Sequence, residues 1–328
     1  MKRIYNKVYH AAMAALMLTA ATACTGDNEP LQSNDVPPTG RPVTITATYQ
    51  GTGAPDGTDA QTRTDYGYNV SNNTVKVTWK AGDKIYVINS ENLKDGNTLT
   101  AAGFEEFTLE GEGGEATGTF KNENSNLDMN KKLYAVYCGN NASDKISVTT
   151  TSGVSSKTYS FSMAGQRQTA NFTTAHLADY DLMCATVNAN AATKSFNFTH
   201  INAILRLRLT FSDNSKHTVK EVKVAGPTGC FRGSLTVNPA LKKVQVATII
   251  NNSCILKYGS DDNGASNIDT VIAFMMVHSD AIKANASITI TVTCADGIYS
   301  TKIAPSENFV MTPGTCNSIE ATLTKESN

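Results

Sequence analysis

Charge is scarce in this 328-residue chain. Only 17% of residues are Asp, Glu, Lys or Arg, and 28 cations nearly balance 29 acids. Without a basic excess, nothing draws the chain to nucleic acid or to an anionic membrane surface. Tryptophan is almost absent, with Trp79 alone. No segment holds a helical period over three turns, so long helices and coiled coils are excluded. The cysteines form no C-x-x-C pair, which removes zinc ribbons and thioredoxin-like sites. There is no H-E-x-x-H among His10, His176, His200, His217 and His278, and no G-x-S-x-G elbow. The glycines from Gly111 to Gly118 lack the Gly-Lys-Ser/Thr ending of a phosphate loop and read as a turn. Glu105 and Glu106 are adjacent, so on a strand they face opposite ways and cannot act as a glycosidase pair. No catalytic residue, metal ligand or cofactor-binding motif is found, and the chain is not expected to be an enzyme.

Thr, Asn, Ser, Gly and Val fill the space that charge leaves, a composition of strands and turns. The first residues differ. Lys2, Arg3 and Lys7 precede an apolar, small-residue run from Ala11 to Ala23, as in a secretory signal. That run is shorter than the ~20 residues a membrane-spanning helix needs. It ends Ala21-Thr22-Ala23-Cys24, which resembles a lipobox with Ala21 in place of the usual leucine. Residues 1–23 are therefore expected to be a lipoprotein signal peptide and Cys24 the acylated first residue of the mature chain. Two or three acyl chains hold a protein on a membrane, at about 0.8 kcal/mol per buried CH₂. From Cys24 to Gly40 the chain is polar, with Pro37-Pro38, and is expected to be an extended tether.

Strand signals follow to the C-terminus. Val43 to Tyr49 alternates apolar and polar residues, as do Ile288 to Val292 and Ile319 to Leu323. Ile85 to Ile88 and Val271 to Val277 are short, buried runs, and Leu133 to Tyr137 is a further strand. Leu205, Leu207, Leu209 and Phe211 are expected on one face of a strand, with Arg206, Arg208 and Thr210 on the other. These short strands between turn residues predict an all-β chain of two tandem antiparallel β-sandwich domains. The polar break Ser212 to Lys216 suggests domains at 41–212 and 213–328. Asp261-Asp262-Asn263-Gly264 lacks the alternate spacing of a calcium loop. Cys138, Cys184, Cys230, Cys254, Cys294 and Cys316 could pair in an exported protein, but several sit in apolar strands where a buried thiol is the commoner state.

Several pieces, in order, resemble fimbrillins, the pilins of type V pili in Bacteroidales. They are the lipobox and tether, the Thr-rich strand from Val43, and a loop holding Thr62-Arg63-Thr64. Next come Trp79-Lys80-Ala81-Gly82-Asp83-Lys84-Ile85, similar to a W-x-x-G-D-x-I element, and Phe198-Thr199-His200-Ile201-Asn202. Phe231-Arg232-Gly233-Ser234-Leu235 and Met311-Thr312-Pro313-Gly314 complete the set. The resemblance implies two transthyretin-like β-sandwiches on a surface-exposed outer-membrane lipoprotein, palmitoylated at Cys24. It implies cleavage after Arg63 by a surface protease, which releases the anchor together with the first strand. Arg41 is a second candidate, but it precedes Pro42 and the strand. A strand from another pilin subunit would fill the vacated groove by donor-strand exchange. The implied function is that of an adhesive pilus subunit, whether stalk, tip or accessory, with host or bacterial surface ligands as further partners. Few residues follow Leu323. If Ile319 to Leu323 is a core strand, no segment is left to donate, which would suit a tip or accessory subunit. The alternative is a non-polymerising surface module that captures glycans, for which Trp79 would be a platform rather than core.

Overall fold

The computed structural model describes residues 40–49, 67–69, 74–92, 104–139, 146–149, 158–189, 194–238, 243–244, 250–278 and 281–327. Cys24, Arg63, the signal peptide and nearly all of the tether lie outside them. The strands come in this order. First are β1 (Arg41–Tyr49), β2 (Gly67–Asn69), β3 (Thr74–Lys76), β4 (Lys84–Asn89), β5 (Glu105–Leu109), β6 (Thr117–Ser125) and β7 (Leu133–Tyr137). Then come β8 (Ile146–Thr149), β9 (Thr158–Ser162), β10 (Gln166–Gln168), β11 (Met183–Val187), β12 (Ser195–His200), β13 (Ala203–Phe211) and β14 (His217–Ala225). Five short strands and a longer one follow: β15 (Phe231–Arg232), β16 (Ser234–Asn238), β17 (Lys243–Val244), β18 (Ile250–Asn251), β19 (Ser253–Tyr258) and β20 (Ala265–Ile268). The last are β21 (Thr270–Val277), β22 (Ile288–Cys294), β23 (Gly297–Ile303) and β24 (Cys316–Lys325). The chain is all-β, as its composition predicts.

The first half closes on itself. Seven strands form a barrel in the order β1-β12-β11-β7-β4-β5-β6, with β6 returning to β1. Its interior holds Trp79, Phe107, Phe120, Tyr137, Phe196 and Phe198 among smaller apolar side chains. The second half is a long sheet, β10-β19-β14-β22-β23-β24-β13-β21, wrapped around its own core of Leu205, Leu207, Leu209, Val222, Ile290 and Leu323. Leu205, Leu207, Leu209 and Phe211 share one face of β13, as the alternation predicts, while Arg208 is exposed on the other. β13 pairs with β21 and β24, so the polar break at 212–216 is the turn from β13 to β14 within this second body.

A third apolar cluster joins the two halves. It takes Tyr86, Tyr134, Val136 and Cys184 from the outer face of the barrel, and Ile204, Ile272, Phe274 and Met276 from β13 and β21. This explains the runs without alternation. β7 and β21 are buried on both faces, one against its own core and one against the neighbouring body. All six cysteines in the described residues are free thiols.

The 3-10 turn Ala175–Asp179 lies against β21. His176 Nε2 donates to the Phe274 carbonyl at 2.9 Å. Burial lowers the His176 pKa to about 4, against the opposing pull of that carbonyl and of Asp179. The unfolded chain takes up this proton near pH 6.5, so stability supplied by neutral His176 is complete above that pH and is lost as pH falls towards 4. Between pH 7.5 and 4.5, thermal unfolding of the wild type is expected to lose on the order of 2 kcal/mol more than that of His176→Gln. Equal losses in the two proteins would remove His176 from this account.

Candidate strand-exchange groove

β1 is nine residues long and closes the barrel. It runs antiparallel to β6, with Ile45 opposite Phe120 and Ala47 opposite Gly118. It runs parallel to β12, with Ala47 opposite Phe196 and Thr48 opposite Asn197. Alternation sends Val43, Ile45 and Ala47 inward, at 7, 2 and 0% exposure. Arg41 and Thr44 are exposed. The outward threonines pair laterally, with Thr48 Oγ1 3.0 Å from Thr117 Oγ1.

The floor beneath β1 is aromatic. Trp79 is 1% exposed and meets Phe120, Tyr137 and Phe198 edge-on, with centroids 4.8, 5.4 and 5.8 Å away. Such edge-to-face pairs add about 0.5–1.5 kcal/mol each beyond burial. The indole Nε1–H donates to the Ala47 carbonyl at 3.1 Å, so the floor also grips the backbone of β1. The sole tryptophan is therefore core, not a sugar platform. Gly118 makes room for it, because a Cβ there would come 2.5 Å from Leu109 Cδ1 and 3.0 Å from Trp79 Cδ1.

The residues after Trp79 fix it in place. Gly82 adopts φ +86°, open to glycine at little cost, which lets the chain reverse. Asp83 is 2% exposed and accepts the Lys80 N–H at 2.7 Å and the Tyr137 hydroxyl at 3.4 Å. Ile85 then enters the barrel core. The Trp-x-x-Gly-Asp-x-Ile spacing thus builds a floor residue, a turn, a buried cap for that turn and a second core residue.

At the junction of the two bodies, β12 ends on His200, which is 5% exposed. His200 Nδ1 lies 2.9 Å from Asp181 Oδ1, and Asp181 is fully buried. Burial disfavours the charged imidazole, but the Asp181 charge and hydrogen bond outweigh it and raise the His200 pKa. Asn202 donates to the Tyr180 carbonyl at 2.8 Å and accepts the Gly314 N–H at 2.8 Å through its own carbonyl. The histidine-marked segment and the Met311–Gly314 turn therefore meet.

Two sequence expectations receive no geometry here, since Cys24 and Arg63 lie outside the described residues. Arg41 stands at the start of β1, exposed. The Asp261–Gly264 turn serves a guanidinium. Arg167 donates to the Asp261 carbonyl at 2.7 Å and pairs with Asp262 at 2.6 Å. Among the described residues no group of three or more His, Cys, Asp or Glu is placed to hold a metal ion. Sequence reasoning missed the Ala47–Gly118 match. A small residue in a Thr-rich strand and a glycine after a glycine-rich turn give no sign that they face each other.

A sequence profile described as fimbrillin-like matches residues 62–328. The match starts one residue before Arg63, so β1 lies outside it. Among solved structures, a candidate cell adhesion protein from Bacteroides ovatus is 15% identical, with 88% of this chain and 96% of that chain covered at a TM-score of 0.48. A second such protein, from Bacteroides uniformis, is 16% identical over 87% and 96% at 0.47. A fimbrial protein from Bacteroides vulgatus is 13% identical over 87% and 98% at 0.34. Comparison with curated protein sequences gives no match.

Proposed function

Because this chain belongs to the fimbrillin-like family, we propose that it is a cell-surface pilus subunit that accepts a strand from another pilin in the groove now filled by β1. In this reading residues 1–23 direct export and acylated Cys24 holds the precursor on the outer membrane. A cut after Arg63 then removes the anchor and β1 together. The protein acts as a structural and adhesive element, without cofactor or catalytic residue. One observation carries the reading. The strand that such a cut would release is the one that closes the barrel, and it rests on an aromatic floor. Its loss would leave β6 and β12 with unpaired edges and bare apolar surface, which is what an incoming strand needs.

β24 bears on the position in a pilus. It pairs in parallel with β13 through eight residue pairs, from Ile204–Cys316 to Phe211–Leu323, and buries Ile319 and Leu323. A strand so integrated favours retention, and with it a tip or accessory subunit that accepts without donating. A second reading has one observation behind it. Ser318-Ile319-Glu320-Ala321-Thr322 repeats the Ile-x-Ala spacing of Thr44-Ile45-Thr46-Ala47-Thr48, so β24 carries a pattern close to that of the strand it would replace. This supports a stalk subunit whose last strand leaves its own fold.

N-terminal analysis of protein extracted from the cell surface tests the proposal. A mature chain starting at Thr64 is the expected result. Heat-resistant ladders on gels then indicate a stalk subunit, and a single adduct indicates a tip or accessory one. Finding only acylated Cys24 would refute exchange through Arg63.

A further inference from the structure

β21 is the last strand of the long sheet, with β13 on one side. Such an edge presents alternate N–H and C=O groups that can recruit a strand from another molecule. Here each outward group from the Thr270 carbonyl to the Met276 carbonyl is met by a side chain. Gln166 Oε1 accepts the Met276 N–H and its Nε2 donates to the Met276 carbonyl, both at 2.7 Å. Gln168 accepts the Phe274 N–H at 2.8 Å and donates to the Ile272 carbonyl at 2.7 Å. Asn171 accepts the Ile272 N–H at 2.8 Å and donates to the Thr270 carbonyl at 2.7 Å. His176 supplies the remaining donor, to the Phe274 carbonyl.

We propose that Gln166, Gln168, Asn171 and His176 together form a substitute strand that closes β21 to strand addition by another chain. A primary amide offers the donor and acceptor of a peptide unit, so a row of amides can mimic a backbone edge. The spacing fits. Residues two apart on a strand share a face about 6.7 Å apart, which is also the repeat of outward groups along β21. β10 is itself held from behind, pairing in parallel with β19 from Gln166–Leu256 to Gln168–Tyr258. Arg167, between the two glutamines, is fastened on the opposite side by the 259–262 turn. Both glutamines are fully buried, so water does not compete for their amides. β10 thus joins β19 by its backbone to β21 by its side chains, and the second body has no open edge at this seam. The inference stands whether or not the chain is a pilus subunit.

Hydrogen exchange on the full chain tests it. In the wild type the amides of Ile272, Phe274 and Met276 are expected to exchange within about tenfold of those of Val271, Ala273 and Met275, which face β13. Exchange about 100-fold faster than these inner amides would overturn the proposal, because it would show an edge open to solvent. In Gln166→Leu/Gln168→Leu the amides of Phe274 and Met276 lose their acceptors. Light scattering is then expected to show concentration-dependent dimers, with about 100-fold faster exchange at these positions in the monomer. A folded double variant that stays monomeric with wild-type exchange would refute the seal. Gln168→Glu keeps the acceptor for Phe274 and loses the donor to Ile272. It should show a smaller increase confined to this part of β21, and exchange identical to wild type would count against the proposal. If the double variant fails to fold, the wild-type exchange pattern decides alone.

Discussion

A chain that starts at Thr64 is expected to lose much of its stability and to regain it on binding a peptide of residues 41–49. The magnitude follows from what β1 buries. Val43 and Ile45 each contribute about 2–3 kcal/mol by leaving water, and Ala47 less. Together with the two ladders β1 makes, the sum rivals the ~5–15 kcal/mol by which a typical domain is stable. A loss of about 5 kcal/mol in a body of this size lowers Tm by roughly 10–20 °C. Trp79 reports the event, because its indole contacts Ala47 and no other tryptophan contributes to the emission. Emission should shift to longer wavelength without β1 and return when the peptide binds. Ile45→Asp in the peptide would bury an unpaired charge and should abolish rescue. Ala47→Leu should weaken it strongly, because Ala47 is fully buried in the barrel core and its carbonyl sits on the Trp79 indole. A shortened chain with wild-type Tm and unshifted emission would show that β1 is dispensable to the barrel.

Asp181→Ala is expected to cost about 3–5 kcal/mol, the usual loss when one partner of a buried pair is removed. Asp181 is fully buried and its pairing with His200 sits where barrel and sandwich meet. Removing the carboxylate leaves an imidazole whose raised pKa depends on it. Replacing both residues, as in Asp181→Asn/His200→Gln, should cost less than the sum of the single changes. The pair also has a sign in pH. A histidine whose folded pKa is raised gives stability that is present below the unfolded value and is lost as pH rises through the folded one. His176 acts in the other direction, so wild-type stability should pass through a maximum between the two titrations. Chemical denaturation across pH checks both statements. A single variant at Asp181 within 1 kcal/mol of wild type would show that the junction does not rely on this pair.

Much of the fold is legible in the residues. Alternation places Val43, Ile45 and Ala47 inward in β1 and Leu205 to Phe211 on one face of β13, because a strand has only two faces. The unbroken run of β21 marks a buried strand, and the structure shows β7 buried on both sides as well. What alternation does not encode is the partner. Nothing local distinguishes a strand that ends a sandwich from one that lies parallel to β12 and closes a barrel, so the first half reads as an open two-layer sheet. The polar residues from Ser212 to Lys216 mark a turn, and the same residues suit a turn within a sandwich or a link between domains. Gln166, Gln168 and Asn171 lie in a polar stretch with no local sign of a strand edge to meet. The burial of the two glutamines follows from an edge more than a hundred residues away in sequence, which no local pattern reports.

The sealed margin of β21 removes one place where another chain could join the molecule. The number of reactive ends on a monomer decides what it can build. If the chain accepts a strand as proposed, one slot and no second adhesive margin at this seam let a subunit extend or terminate a thread. On a subunit that both accepts and donates a strand, an open β21 would add a third reactive end, and monomers with three ends branch and gel. In such an assembly four side chains in one short stretch would hold the valence of the unit at two or less, which keeps a polymer linear.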